Sequence, residues 1–287
     1  MAKSLISGLI FASAVAAAPA PPPPVPTTAR PEAQTARAAW AIDYGSQRCS
    51  LIRTTEGADP LTFAIRLIPG HTWPDLLLAK ADWHGSKIPN AAKVELVLAP
   101  AGSTFEAEPI TVPLGKSPAG RIIQMSGRSG FLNALAAANR LDVRVRGEVA
   151  LSIPLPGASK AIAALHDCND ALVTAWGIDL KAAAALAEPP RAVDFEKWMN
   201  DSDYPTAAMA HKATGTVVAR LAVDANGQVT DCAIVAGSGD ADLDGAACRA
   251  LKRNARFHPA IGADGRPVAA VSLQTIEFIM HGAPVPH

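Results

Sequence analysis

The residues able to do chemistry in this chain are four cysteines, seven histidines and a group of aspartates between positions 224 and 244. The histidines, His71, His84, His166, His211, His258, His281 and His287, fall at no spacing that would ligate a metal. No His-Glu-x-x-His, Ser-x-x-Lys or Gly-x-Ser-x-Gly occurs, so the corresponding hydrolytic chemistries have no carrier. Asp224, Asp231, Asp240, Asp242 and Asp244 are acidic enough for calcium, but they lack the Asp-x-Asp-x-Asp-Gly loop and read as turn and cap residues. Gly237-Ser238-Gly239 could hold an anion on its amides, yet the same aspartates would repel phosphate, and a strand-to-helix turn is the stronger reading. Arg249, Lys252, Arg253 and Arg256 read as a solvated helix face with favourable charge at its C-terminal end. His71-Thr72-Trp73 and Trp83-His84 read as aromatic packing rather than a small site. No catalytic residue, cofactor or metal is expected from these residues.

The elements that must position these residues are clearest from Trp198 to Phe278. Val217, Ala219, Leu221 and Val223 share one face at period two, which predicts a half-buried strand. Asn226-Gly227 between two β-rich runs predicts a hairpin, because both residues tolerate positive φ. Asp242 is expected to cap the next helix and Asp244 to sit in its first turn. Leu243, Ala246, Ala247, Ala250, Leu251 and Ala255 fall on one helical face, while Asn254 has no evident core role. The last strand changes phase. Val271 and Leu273 alternate in one phase, Ile276 and Phe278 in the other, so a bulge near Gln274-Thr275 is expected to bring both pairs to one face.

The order Tyr204-Pro205, Gly215-x-Val217, Val223-Asp224-x-x-Gly227-x-Val229, Ser238-Gly239, Leu243-Asp244-x-Ala246, Phe257-x-Pro259-Ala260 and Gly265-x-Pro267-Val268 resembles the TonB C-terminal domain over about 80 residues. The resemblance implies a helix–strand–strand–helix–strand module with a three-stranded antiparallel sheet. It implies a periplasmic protein that grips an extended segment of a protein partner, such as an outer-membrane TonB-dependent receptor. On the last strand it points to Val268, Ala270, Val271, Ser272, Gln274 and Ile276 as partner-binding residues. Energy-transducing members carry a membrane anchor with a histidine and a long charged Pro-rich spacer. Here no histidine precedes His71 and the Pro run is short.

Composition agrees with an exported globular protein. The 287 residues are 49% hydrophobic and 18% charged with zero formal net charge, which argues against nucleic acid or an anionic membrane surface as partner. Lys3, the apolar stretch Leu5 to Ala18 and Ala14-Val15-Ala16 predict a cleaved export signal over 1–18. A membrane role is expected only if that segment is retained, since a span needs ~20 apolar residues. Residues 19–39 are a Pro/Ala-rich tether, of which Pro19 to Arg37 reach at most ~60 Å at ~3.1 Å per residue. Four cysteines in an exported chain predict two disulfides, and no Cys-x-x-Cys or Cys-x-x-His spacing suggests a metal.

The fold class is α+β. A β-rich N-terminal domain with two helices spans 40–178, a linker 179–194, and the TonB-like module 195–281. The first domain shows alternating runs Ala39 to Tyr44, Arg48 to Arg53, Leu61 to Ile68, Lys93 to Leu98, Ile110 to Leu114, Arg121 to Met125 and Leu141 to Pro154. Its helices are expected over Ser129 to Asn139 and from an N-cap at Ser159 to Gly177, with Ile162, Leu165, Cys168, Leu172 and Ala175 on one face. The division into domains selects the pairs Cys49–Cys168 and Cys232–Cys248, and closing the second loop stabilises by ~3 kcal/mol in the chain-entropy model. The function expected is a periplasmic adaptor that binds a partner by strand addition. The alternatives are a membrane-anchored energy transducer, or a ligand-binding or enzymatic first domain docked through the C-terminal module.

Overall fold

The computed structural model describes residues 39–70, 73–115 and 120–280. The expected export signal and nearly all of the expected tether lie outside them, as do His71 and Thr72. Among the described residues no helix is long and apolar enough to cross a membrane.

Among the described residues the first domain has ten strands: β1 (Ala41–Tyr44), β2 (Cys49–Thr54), β3 (Leu61–Leu67), β4 (Asp75–Lys80), β5 (Val94–Ala99), β6 (Ser103–Ala107), β7 (Ile110–Pro113), β8 (Arg121–Ser126), β9 (Arg140–Val145) and β10 (Glu148–Pro154). They form a six-stranded antiparallel sheet in the order β1-β2-β3-β4-β8-β7 and a four-stranded one in the order β10-β9-β5-β6. One core joins them. Leu61, Phe63 and Ile65 enter it from β3, Val94, Leu96 and Leu98 from β5, and Leu141, Val143 and Val145 from β9. Each set alternates with more exposed neighbours, as period two requires.

Several expectations are corrected in this domain. The run Leu141 to Pro154 is two strands, because Arg146 and Gly147 both take positive φ, 53° and 80°, and turn the chain back on itself. β4 was not expected, and it buries Leu76, Leu77 and Leu78 in succession. A strand covered on both faces shows no alternation to detect. Helix α1 (Phe131–Ala136) is shorter than expected, and α2 (Ala158–Ala175) is preceded by Gly157 at φ 71° rather than capped by Ser159. Ala175 is exposed, and Val173 takes the buried place in the last turn. Cys168 on α2 is bonded to Cys49 on β2 with Cα atoms 6.1 Å apart, fastening the helix to the sheet.

Residues 179–194 are more than a linker. They hold α3 (Leu180–Ala184), whose N-terminus Asp179 caps, and β11 (Arg191–Val193). β11 pairs with a strand of the C-terminal module, and the Glu188 amide donates to the Ile261 carbonyl nearby.

The C-terminal module contains α4 (Thr206–Ala210), β12 (Gly215–Val223), β13 (Val229–Ala236), α5 (Ala241–Asn254), β14 (Arg256–His258), β15 (Ala260–Ile261), β16 (Pro267–Val268) and β17 (Ala270–Phe278). Its main sheet is antiparallel in the order β13-β12-β17, the expected helix–strand–strand–helix–strand arrangement. Val217, Ala219, Leu221 and Val223 of β12 pack with Leu243, Ala246, Ala247 and Leu251 of α5. Cys232 of β13 is bonded to Cys248 of α5, Cα to Cα 5.7 Å.

The hairpin between β12 and β13 is present, but Asn226 does not take positive φ. Only Gly227 does, at 77°. The Asp224 carboxylate accepts from the amides of Asn226 and Gln228 at 2.9 and 2.8 Å and shapes the turn, and the Gln228 amide chiefly holds its carboxyl below the usual aspartate range. A Cβ on Gly227 would lie 1.9 Å from the Phe257 carbonyl oxygen, so the position also needs glycine for space.

The cap of α5 is Asp240, not Asp242. Its carboxylate accepts from the amides of Asp242 and Leu243 at 3.0 and 3.1 Å, and lies 2.6 Å from His211 Nε2. The contact to His211 and then the Leu243 amide hold the Asp240 carboxyl below its usual range. Asp240→Ala should lower the midpoint of urea unfolding, whereas Asp242→Ala should leave it almost unchanged. A depressed carboxyl contributes stability above its ordinary range and loses it as pH falls through the folded value. The gap between parent and Asp240→Ala should therefore close below the ordinary aspartate pKa of 3.8. Equal costs for the two variants would contradict this cap assignment.

β17 shows no bulge. Its register with β12 is unbroken from Gly215↔Phe278 to Val223↔Ala270, and the irregularities fall between β12 and β13 instead. Its two apolar phases have two destinations. Ile276 and Phe278 face α5. The opposite face meets the first domain, where Thr275 Oγ1 donates to the Pro69 carbonyl at 3.2 Å and Gly70 lies on Leu273. Val218 is fully buried on that second face, Arg220 donates to the Trp176 carbonyl at 3.4 Å, and the Gln47 side-chain amide donates to the Gly237 carbonyl.

Candidate functional site

The site builds outward from β17. The strand closes one side of the main sheet, and among the described residues its outer edge pairs with no other strand. Such an edge presents N–H and C=O groups that an extended peptide can satisfy.

A groove of about 620 Å³ runs beside that edge, with Gln274, Thr275, Ile276 and Glu277 on one side and Phe195, Trp198 and Met199 on the other. A smaller hollow of about 200 Å³ continues it past Asp201 and Tyr204 to Ile279, sharing Met199, Ile276 and Glu277. Gly70 stands at the opposite end. Gly70 has φ 86°, and a Cβ there would sit 2.9 Å from the Leu273 carbonyl carbon, so the first domain touches the strand backbone itself.

The aromatic wall is held from behind. Trp198 is 2% exposed, with its ring centroid 5.0 Å from both Phe195 and Phe257. Its Nε1–H donates to the Val193 carbonyl at 2.8 Å, and its own carbonyl accepts from Asn254 Nδ2 at 2.8 Å. That bond gives Asn254 the role the sequence did not reveal. Tyr204 stacks edge-on against Phe278 at 5.4 Å and donates its hydroxyl to the Ala213 carbonyl, and burial raises its pKa.

The expected partner-binding residues divide. Ala270, Val271, Ser272, Gln274 and Ile276 lie on β17, but Val268 belongs to the two-stranded β15–β16 ladder opposite Ala260. Only Gln274 and Ile276 line the groove, Ile276 with its side chain turned inward at 8% exposure. Ser272 Oγ accepts from Gln274 Nε2 at 2.8 Å, and Val271 is 44% exposed. Sequence reasoning missed Thr275, Glu277 and the Phe195–Met199 wall. Phe195, Trp198 and Met199, an aromatic-rich cluster before the first core strand, were the available signal.

The other candidates are occupied or dispersed. Asp244 Oδ1 accepts from the Ser238 amide and hydroxyl, both at 2.8 Å, so the Gly237-Ser238-Gly239 loop is closed by the protein's own carboxylate. A hollow of about 890 Å³ on the first domain carries charges of both signs, with Lys87 on Glu148 at 2.6 Å and Lys93 on Glu106 at 3.8 Å. Trp83 is buried with its Nε1–H on the Arg121 carbonyl, while His84 is exposed beside Asp82. No group of metal-ligating side chains occurs among the described residues.

Residues 200–280 match the family described as Gram-negative bacterial TonB protein C-terminal. No curated protein matches the chain. Among solved structures, the crystal structure of invasion associated protein B from Bartonella henselae is similar at 17% identity and a TM-score of 0.35, covering 46% of this chain and 94% of that one. The chain therefore carries a TonB C-terminal domain over residues 200–280, behind an additional N-terminal domain.

Proposed function

We propose that this protein works in the Gram-negative periplasm as a binding protein, not an enzyme. Its C-terminal domain takes up an extended segment of a protein partner, of the kind an outer-membrane TonB-dependent receptor presents, as an added strand along β17. The observation that carries this reading is the outer edge of β17, unpaired among the described residues and bordered by a groove that a smaller hollow continues to Ile279. Main-chain hydrogen bonds supply the attraction, each worth about 0.5–1.5 kcal/mol net. The first domain leaves that edge open while covering one face of the sheet, so the segment approaches from the side rather than from above.

Hydrogen exchange of the full mature chain, followed by mass spectrometry, tests the proposal. Adding extended receptor-type peptides should slow exchange between Ala270 and Ile279 and leave α5 unchanged. Saturable binding whose protection maps to the Arg249–Arg256 helix face, with β17 silent, overturns it.

A further inference from the structure

We infer that the β17 groove is built for an extended segment that alternates apolar and basic residues. The inference rests on strand addition at β17 and adds the chemistry of what is added.

Side chains of a strand point alternately to its two faces, and those of a strand paired with it do the same. On the α5 side of β17 lie Ile276 and Phe278, with Trp198, Met199 and Tyr204 packed into the same core. Phe195 adds an aromatic ring that is 45% exposed at the groove. Every second residue of an added strand would meet this apolar row. The residues between them would lie on the other face, beside Thr275 and the exposed Glu277.

Charge is one-sided there. Glu196 and Glu277 line the groove, Asp201 and Glu277 its continuation, and no lysine or arginine is among the described lining residues. The neighbouring Lys197 is held by Asp194 at 2.7 Å. Arg253 is engaged with Asp203, in a separate hollow beside α5. Three carboxylates without a cation favour a positively charged occupant and repel an acidic one.

The test uses the full mature chain and short blocked peptides that alternate valine with lysine, with serine or with glutamate, plus one alternating serine with lysine. At about 0.01 M salt the valine–lysine peptide should bind about fivefold more tightly than the valine–serine one, with valine–glutamate weakest, and the order should flatten at about 1 M salt. The serine–lysine peptide should bind more weakly than valine–lysine, since it leaves the apolar row unmet. Glu277→Lys, a change at an exposed position of the groove, should reverse the lysine–glutamate order. Equal affinity for the lysine and glutamate peptides, or an order that Glu277→Lys does not move, overturns the inference. The strand-addition reading would survive that result if the valine–serine peptide still protects β17 amides from exchange. Failure of every peptide to bind would overturn both.

Discussion

Removing the Cys49–Cys168 bridge, as the double variant Cys49→Ala with Cys168→Ala, should destabilise the first domain by about 5 kcal/mol. The two cysteines are separated by 119 residues, so the bond closes almost the whole domain into one loop and restricts its unfolded chain accordingly. The Cys232–Cys248 bridge spans 16 residues, and the same argument gives about 3 kcal/mol for it. The order of the two effects is the informative part. Both bridges join a strand to a helix; Cys49 and Cys168 are buried and Cys232 and Cys248 half-buried, so local packing acts in the same direction as loop length. Calorimetry of the two double variants should show the melting temperature of the first domain fall by roughly 10–20 °C in one, and a smaller loss in the C-terminal domain of the other. A larger loss from the short loop would rule out the unfolded-chain account for this protein.

Trp198→Ala should cost about 3–5 kcal/mol in the C-terminal domain. The ring lies between Phe195 and Phe257, fills the space below the groove and donates its only N–H to Val193. Alanine would leave a cavity under the groove and the Val193 carbonyl without that donor. Trp198→Phe keeps most of the apolar volume and loses the hydrogen bond, so about 1–2 kcal/mol is expected. Denaturant unfolding of both variants checks the ranking. In the alanine variant the groove wall should also loosen, with faster amide exchange at Phe195 to Met199. A phenylalanine variant as damaged as the alanine one would mean that the bond to Val193, and not the aromatic packing, holds the wall.

Local pattern carried much of the fold. Leu61, Phe63 and Ile65, Val94, Leu96 and Leu98, and Ala219, Leu221 and Val223 alternate with more exposed neighbours because one face of the strand is buried there and the other less so, and that periodicity is written in the residues themselves. The cysteine pairs were legible for a related reason. Cys168 falls on the inward face of an amphipathic helix and Cys248 on a second such helix, and each has one other cysteine in its own domain. Where both faces of a strand are covered the pattern disappears, as it does over Leu76, Leu77 and Leu78.

The candidate site was legible in position but not in make-up. The motif order located the last strand, and its outer edge is where expected, yet the groove owes its wall to Phe195–Met199 and its end to Gly70, which lies more than 200 residues earlier than Gln274. The sequence alone determined that Val271 and Leu273 alternate in one phase and Ile276 and Phe278 in the other, because side chains alternate along a strand; the expected bulge that would bring both pairs to one face is absent. Tertiary structure alone decided that the second face is met by Pro69 and Gly70 of the first domain rather than being bulged back onto α5. It likewise drew Arg191–Val193 out of a linker and onto β14. Periodicity records that a side chain is buried. Its covering partner depends on which distant surface fits there, and no local interaction encodes that choice.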